Sequence, residues 1–89
     1  MNRFQELNAF MAVVEAGGFS AAARRTGESQ PAVSKAVGAL EKRLGVALFN
    51  RSTRSVTLTD QGQRYYDRIK PSMDEIDEAD GELTSSTLN

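Results

Sequence analysis

The sequence predicts a mainly helical chain of 89 residues: three short helices, a two-stranded ribbon, then one long helix. Three observations lead to this fold. Apolar residues recur at helical spacing in the early segments, which end on glycine. Two brief apolar runs flank a polar stretch, as strands flank a hairpin turn. A longer stripe of helical spacing then runs through the last third of the chain.

The elements follow in order. Phe4, Leu7, Met11 and Val14 step by three, four and three, with Phe10 and Val13 widening the stripe, and Gly17-Gly18 closes this first helix. Ser20 is the expected N-cap of a short helix over 21–26. Gly27 then serves as a C′ residue able to take positive φ. Ser29 or Gln30 caps the third helix, with Pro31 in its first turn, where a missing N–H is harmless. Val33, Val37, Leu40 and Leu44 line one face of that helix, and Gly45 stops it. Residues 46–49 (VALF) and 56–58 (VTL) are the strand candidates, with the polar stretch 50–55 as the turn. Thr59 is the N-cap candidate of the long helix, expected over 59–83.

Composition narrows the function. A chain this short forms one small domain of marginal stability, for which packing with a partner or dimerisation is expected. It has no cysteine and no histidine, which excludes a disulfide framework and removes the usual general base and soft metal ligands. No phosphate-cradling Gly-x-x-x-x-Gly-Lys loop is present, so an enzyme is not expected. No apolar run approaches the ~18–20 residues of a membrane span, and the N-terminus lacks the apolar region of a signal peptide. A cytoplasmic protein without membrane association is expected. The net charge of −1 conceals an asymmetry: residues 1–58 hold eight Lys/Arg and four Glu, net +4, while 59–89 hold three basic and eight acidic residues, net −5. A basic module is joined to an acidic segment.

Ala23, Gly27 and Val33 fill the three roles of a helix-turn-helix: a small residue where the helices cross, a glycine in the turn, and a branched apolar residue pointing back into the angle. Opposite the apolar stripe of the third helix lie Pro31, Lys35, Gly38 and Lys42, flanked by Ala32, Ser34 and Ala39. Such a small or basic surface suits the DNA major groove, about 12 Å wide. The competing reading is a solvated face rich in alanine for helix propensity. Gly38 speaks against it, because glycine costs about 1 kcal/mol in a helix interior.

The stretch SQPAVSKAVGALEKRLGVALFNRSTRSVTLT, with Leu7-Asn8-Ala9-Phe10 and Gly18-Phe19-Ser20-Ala21-Ala22-Ala23 before it, resembles the N-terminal DNA-binding domain of bacterial LysR-type transcriptional regulators. The resemblance implies a winged helix-turn-helix over 1–58, a linker and dimerisation helix over 59–85 and a tail over 86–89, with the effector-binding domain of the family absent from this chain. It implies sequence-specific binding of double-stranded DNA at a two-fold operator. The recognition helix, about 30–44, would enter the major groove through Gln30, Pro31, Ala32, Ser34 and Lys35. The wing, about 50–55, would reach the minor groove and backbone through Arg51, Thr53 and Arg54, with Ser20 and Arg24 near phosphates. Each residue type suits its role. Gln pairs bidentately with adenine, Pro and Ala touch a thymine methyl, Ser donates to a base or a phosphate, and Lys reaches guanine or phosphate. An arginine at a wing tip suits the negative potential of a narrow minor groove.

The sequence departs from the family at a few positions. Thr26 and Glu28 stand where the family usually has apolar residues, which is expected to weaken the turn. Ala36 and Gly38 replace longer polar residues, which is expected to concentrate DNA readout in the first turn and a half of the helix. Gln61 replaces a usual alanine, with little consequence expected.

Tyr66, Ile69, Met73, Ile76, Asp80 and Leu83 step by three and four, giving a heptad-like seam for antiparallel pairing with a second copy; its apolar members are Tyr66, Ile69, Met73, Ile76 and Leu83. Pro71 is expected to kink this helix, and Asp80 to weaken the seam. The resemblance implies higher oligomers and contact with RNA polymerase for the full-length protein. It implies no cofactor in this segment, and a small-molecule inducer only in the absent domain. The rival reading, motivated by the modest charge of the first half, is a winged-helix module that binds protein and not DNA.

Overall fold

The computed structural model describes residues 2–52 and 55–88, with side chains through residue 85. The elements are α1 (Arg3–Ala16), α2 (Phe19–Thr26), α3 (Gln30–Leu44), β1 (Phe49–Arg51), β2 (Val56–Leu58) and α4 (Asp60–Leu88). This is the predicted winged helix-turn-helix followed by a long helix.

α1 opens on a reciprocal cap: the Asn2 side chain accepts from the Gln5 amide at 2.9 Å, while the Gln5 side chain accepts from the Asn2 amide at 2.8 Å. Its buried face differs from the expected one. Ala9, Phe10, Met11, Ala12 and Val13 lie in the core, whereas Phe4 is 53% exposed and Leu7 and Val14 are half-buried. The reason is that α2 and α3 both pack on α1. The small side chains of Ala9 and Ala12 let them approach, so the core-facing arc widens toward Phe10 and Val13 and leaves Phe4 at its margin.

α2 begins two residues earlier than expected. Phe19 is already helical, Gly18 is the N-cap, and no side chain caps this end. Ser20 is therefore the second helical residue and not the cap, and its hydroxyl accepts a hydrogen bond from Arg24 Nη1 at 3.0 Å. The turn is as predicted: Gly27 takes φ 76° and its amide donates to the Ala23 carbonyl at 3.0 Å. Thr26 bridges the turn, donating to the Ala23 carbonyl and accepting from the Glu28 amide, both at 3.4 Å. A hydroxyl thus gives the turn polar support in place of apolar packing.

α3 is capped by Ser29, whose Oγ accepts from the Ala32 amide at 3.2 Å. Val33, Val37 and Leu40 are fully buried, as the stripe predicts, and Ala36 joins them, while Leu44 is half-buried. Glu6 of α1, itself 8% exposed, accepts two bonds from Arg43 of α3, from Nε at 3.1 Å and Nη2 at 3.0 Å. Charge-assisted pairing of this kind makes burial of the carboxylate tolerable.

The first strand lies later than expected, at Phe49–Arg51 and not at 46–49, in antiparallel register Phe49↔Leu58, Asn50↔Thr57 and Arg51↔Val56. The backbone at Leu48 has other partners. Its amide donates to Glu41 Oε2 at 2.7 Å, and its carbonyl accepts from the Thr59 amide at 3.0 Å. The amide is therefore unavailable to the ladder, which runs past Phe49 only through this one in-register bond between Leu48 and Thr59 and stops there.

Thr59 is the cap of α4. Its Oγ1 accepts from the Gly62 amide at 3.0 Å and donates to the Ala47 carbonyl at 2.7 Å. A side chain at Gly62 would collide with the Leu48 carbonyl oxygen and lie 2.9 Å from Leu58 Cδ2, so the start of α4 can sit this close only with glycine there. The helix passes unbroken through Pro71 and reaches Leu88. It therefore continues into the segment 86–89 expected to be a tail, since nothing after Pro71 breaks the pattern and the lone Gly81 is tolerated. At 29 residues it is roughly 43 Å long and sets the long axis of the molecule.

Only the first half of α4 is docked. Tyr65, Tyr66 and Ile69 pack on the core, while every residue from Glu75 to Ser85 is exposed. Glu15 of α1 organises the docking: it accepts from Tyr66 Oη at 3.1 Å, pairs with Arg25 of α2 at 3.3 Å and lies 3.8 Å from Lys70. Burial, then the bond to the Glu15 carboxylate, hold the Tyr66 phenol above its ordinary pKa. The Asp74 carboxylate, at 2.7 Å, is the main cause that raises the pKa of the Lys70 ammonium.

Two outcomes are expected. Gly62→Ala destabilises the fold by about 2 kcal/mol or more through overpacking; a urea midpoint equal to that of the unaltered chain would refute the close approach. Tyr66 keeps its proton more firmly folded than unfolded. Its contribution is therefore complete below the ordinary value of 10.0 and is lost as pH rises through the raised one. Thermal melts should hold steady to about pH 9 and fall beyond 10, less steeply in Tyr66→Phe. Equal alkaline losses in both proteins would rule out this role for Tyr66.

Candidate nucleic-acid interface

The first turn of α3 stands clear of the body. Gln30, Pro31, Ser34 and Lys35 are exposed and Ala32 is half-buried. The helix N-terminus adds partial positive charge there, with Pro31 contributing no amide to be satisfied. Ala36 does not belong to this surface. It is 4% exposed and packs in the core, so its small size serves the approach of α3 to the body and not an approach to a ligand. Gly38 is different: a Cβ there would meet nothing within 4 Å, so no contact inside the chain demands glycine.

The fold brings three of the expected residues to one place. Ser20, Arg24 and Gln30 line a hollow of about 490 Å3 together with Phe19, Ser52 and Ser55 from the base of the wing. The Arg24–Ser20 bond holds the guanidinium along α2. Ser52 and Ser55 close the wing base on each other: the Ser52 amide donates to the Ser55 carbonyl at 3.0 Å, and the Ser55 amide donates to Ser52 Oγ at 3.1 Å. Lys35 lies apart from this hollow, on the flank of α3 shared with Gln5, Glu28 and Ala32. Sequence reasoning missed Ser52 and Ser55, and their spacing around a predicted turn was the available signal.

Arg51 sits otherwise than a wing contact suggests. Its Nη2 is 2.8 Å from Glu41 Oε1, and its guanidinium carbon stands 5.3 Å from the centroid of the Phe19 ring. Thr53 and Arg54, the other expected wing contacts, lie outside the described residues. The ion pairs sharpen the charge asymmetry of the sequence. Within the basic segment 1–58, Glu6, Glu15 and Glu41 each face a cation, while among the described residues of that segment Arg3, Arg24, Lys35 and Lys42 make no ion pair.

The expected seam on α4 divides. Tyr66 and Ile69 are spent on the chain's own core, with Tyr66 6.4 Å from the Phe10 ring and bonded to Glu15. Met73 is half-buried, and Ile76 and Leu83 are 41% and 71% exposed. Met73 and Ile76 share an open, largely apolar groove with Phe4, Leu7, Tyr65 and Ile69. Phe4 thus joins the apolar face of α4, which no single-helix pattern reveals. Asp80 is exposed. Among the described residues no helix is long and apolar enough to cross a membrane, and no cluster of acidic side chains is arranged to hold a metal ion.

The family model for bacterial regulatory helix-turn-helix proteins of the lysR family matches residues 4–63. The chain is 39% identical over 87 residues to an HTH-type transcriptional repressor of Pseudomonas aeruginosa, covering 98% of this chain and 27% of that protein. It is 42% identical over 79 residues to the HTH-type transcriptional regulator CrgA of Neisseria meningitidis, covering 89% of this chain and 26% of that one. The chain therefore spans about a quarter of the length of these curated relatives. Among solved structures it is similar to the BenM_DBD/catB site 1 DNA complex, with TM-score 0.86 and 27% identity over 99% of both chains. It is also similar to the CbnR_DBD–DNA complex, with TM-score 0.80 and 34% identity over 99% of this chain and 100% of that one.

Proposed function

This chain belongs to the lysR family of bacterial regulatory helix-turn-helix proteins, and from that premise we propose that it is a sequence-specific double-stranded-DNA-binding module of a transcription regulator. The observation that carries this reading is the placement of Gln30 at the exposed N-terminal turn of α3, beside Ser20, Arg24 and the wing base. That arrangement occurs on a fold that superposes along its whole length with domains solved as DNA complexes. α3 enters the major groove by its first turn. Gln30 reads adenine, Pro31 and Ala32 offer apolar contact to a thymine methyl, and Ser34 and Lys35 bond base edges or phosphate. Ser20 and Arg24 lie along the phosphate backbone, and the wing lies beside the adjacent minor groove. The module works by binding and has no catalytic step.

Dimerisation is part of the same proposal. α4 projects beyond the body with Ile76 and Leu83 uncovered, and Phe4, Met73 and Ile76 continue that surface back to α1. A second copy laid antiparallel along α4 covers these groups and presents two α3 helices to a two-fold operator. Because Tyr66 and Ile69 serve the chain's own core, this seam begins at Met73 and recruits Phe4. We assign inducer binding, higher oligomers and RNA polymerase contact to the whole regulator and not to these residues.

DNA binding is expected to weaken steeply with salt. Gln30→Ala should relax preference at one base pair by about 1–3 kcal/mol while leaving non-specific affinity almost unchanged. Titrations of base-substituted duplexes check this, and an equal loss on every sequence removes Gln30 from direct readout. Flat, salt-independent titrations would favour a protein-binding module instead. Analytical ultracentrifugation at micromolar concentration should show a dimer that Phe4→Ser with Ile76→Ser converts to monomer. A monomeric unaltered chain would end the dimer reading for these 89 residues.

A further inference from the structure

Glu41 stands on α3, two turns beyond the proposed DNA-reading residues, yet its carboxylate is divided between three groups of β1 and the residue just before it. Oε2 accepts the Leu48 amide at 2.7 Å and the Phe49 amide at 3.3 Å, and Oε1 takes Arg51 Nη2 at 2.8 Å. The Glu41 side chain is only 12% exposed, whereas that of Arg51 is 43% exposed. Arg51 in turn lies over the ring of Phe19, the residue that opens α2 and precedes Ser20. One carboxylate therefore joins the three elements that meet at the proposed interface: α3 directly, β1 through the Phe49 amide, the Arg51 guanidinium and the Leu48 amide just before the strand, and the start of α2 through the stacked ring. A two-stranded ribbon this short is not stable alone, so its angle to α3 has to be set by such attachments.

The pairing also bears on Arg51 itself. A phosphate contact would draw on the same guanidinium that Glu41 and Phe19 already hold. The carboxylate side of this bond is sheltered although the guanidinium is exposed, and a charge-assisted bond at 2.8 Å, together with the Phe19 ring, competes with a solvated phosphate.

We infer that Glu41 is a positioning residue that fixes the wing against the recognition helix, and that it keeps Arg51 as an internal strut and not a phosphate contact. The inference rests on the DNA-binding reading above and concerns how that binding becomes selective. The wing of this chain touches DNA through residues other than Arg51. The Glu41–Arg51 pair supplies the fixed geometry in which major-groove and wing contacts are made together.

The test uses the 89-residue chain, a duplex selected by it from a random pool, and a scrambled duplex of equal length. Two quantities are read below the melting temperature: the slope of log affinity against log salt on the scrambled duplex, and the affinity ratio between the two duplexes. The paired variant E41Q/R51M conserves net charge. Its salt slope is expected to match the unaltered chain, while the affinity ratio falls about tenfold, as loss of one or two base contacts would cause. A slope shallower by about 0.9 means that one phosphate contact was lost with Arg51, and overturns the inference. E41Q alone frees the guanidinium and is expected to steepen the slope by about 0.9 while the ratio falls; an unchanged ratio overturns the inference. Arg51→Lys keeps the charge and serves should the paired variant fail to fold. A lysine on phosphate would preserve both readings, which overturns the inference, whereas a lost strut lowers the ratio alone. A merely destabilised protein weakens both duplexes equally and leaves the ratio unmoved, which also overturns it. If the unaltered chain binds no duplex at all, the DNA reading itself fails, and this inference with it.

Discussion

Phe10 is the interaction on which the rest of the structure depends. Its ring is fully buried and meets Phe49 at 5.4 Å, Tyr65 at 5.6 Å and Tyr66 at 6.4 Å. One side chain of α1 therefore fixes the first strand of the wing and the first half of α4 to the helical body. Tilted aromatic contacts of this kind stabilise by about 0.5–1.5 kcal/mol each beyond burial. In a chain of this size the aliphatic core from Val13, Val33, Val37 and Leu40 is small. The ring cluster extends it into regions that the three helices alone cannot cover.

From that cluster, two polar junctions give direction to what the apolar contacts merely gather. Glu41 and the Leu48 backbone tie α3, the wing and the start of α4 into one corner, completed by the Thr59 cap and the close approach of Gly62. Glu15 ties α1, α2 and α4 through Arg25, Tyr66 and Lys70. Burial alone is indifferent to small rotations of one helix on another, whereas hydrogen bonds of 2.7–3.1 Å to named atoms are not. For a module proposed to present one helix turn and one wing to a duplex, the angles between elements matter as much as their stability.

The helical pattern made much of the fold legible before any coordinates. Gly27 in the turn, Ser29 and Pro31 at the start of α3, the Val33/Val37/Leu40 stripe, the second strand and the Thr59 cap are local signals, and each appears where its chemistry places it. The same holds for the exposed Gln30, Pro31, Ser34 and Lys35, because an apolar stripe on one face dictates which residues are left outside. Two of the errors fall where two or more elements decide. The core face of α1 takes in Ala9 and Ala12 beside Phe10, Met11 and Val13 and leaves Phe4 outside, because two helices pack on it at once. The first strand begins only at Phe49 because the Glu41 carboxylate takes the Leu48 amide.

By itself, then, the sequence determined the element order, the glycine-marked turns and the face of α3 left bare, because helical periodicity and capping act within a few residues. Only the tertiary structure decided that Ala36 is core, that Arg51 is paired with Glu41 and stacked on Phe19, and that Tyr66 turns inward to Glu15. Only it gathered Ser20, Arg24 and Gln30 with Ser52 and Ser55. These are contacts between side chains on different elements, and their partners are chosen by how those elements cross. A one-helix pattern contains no information about that crossing.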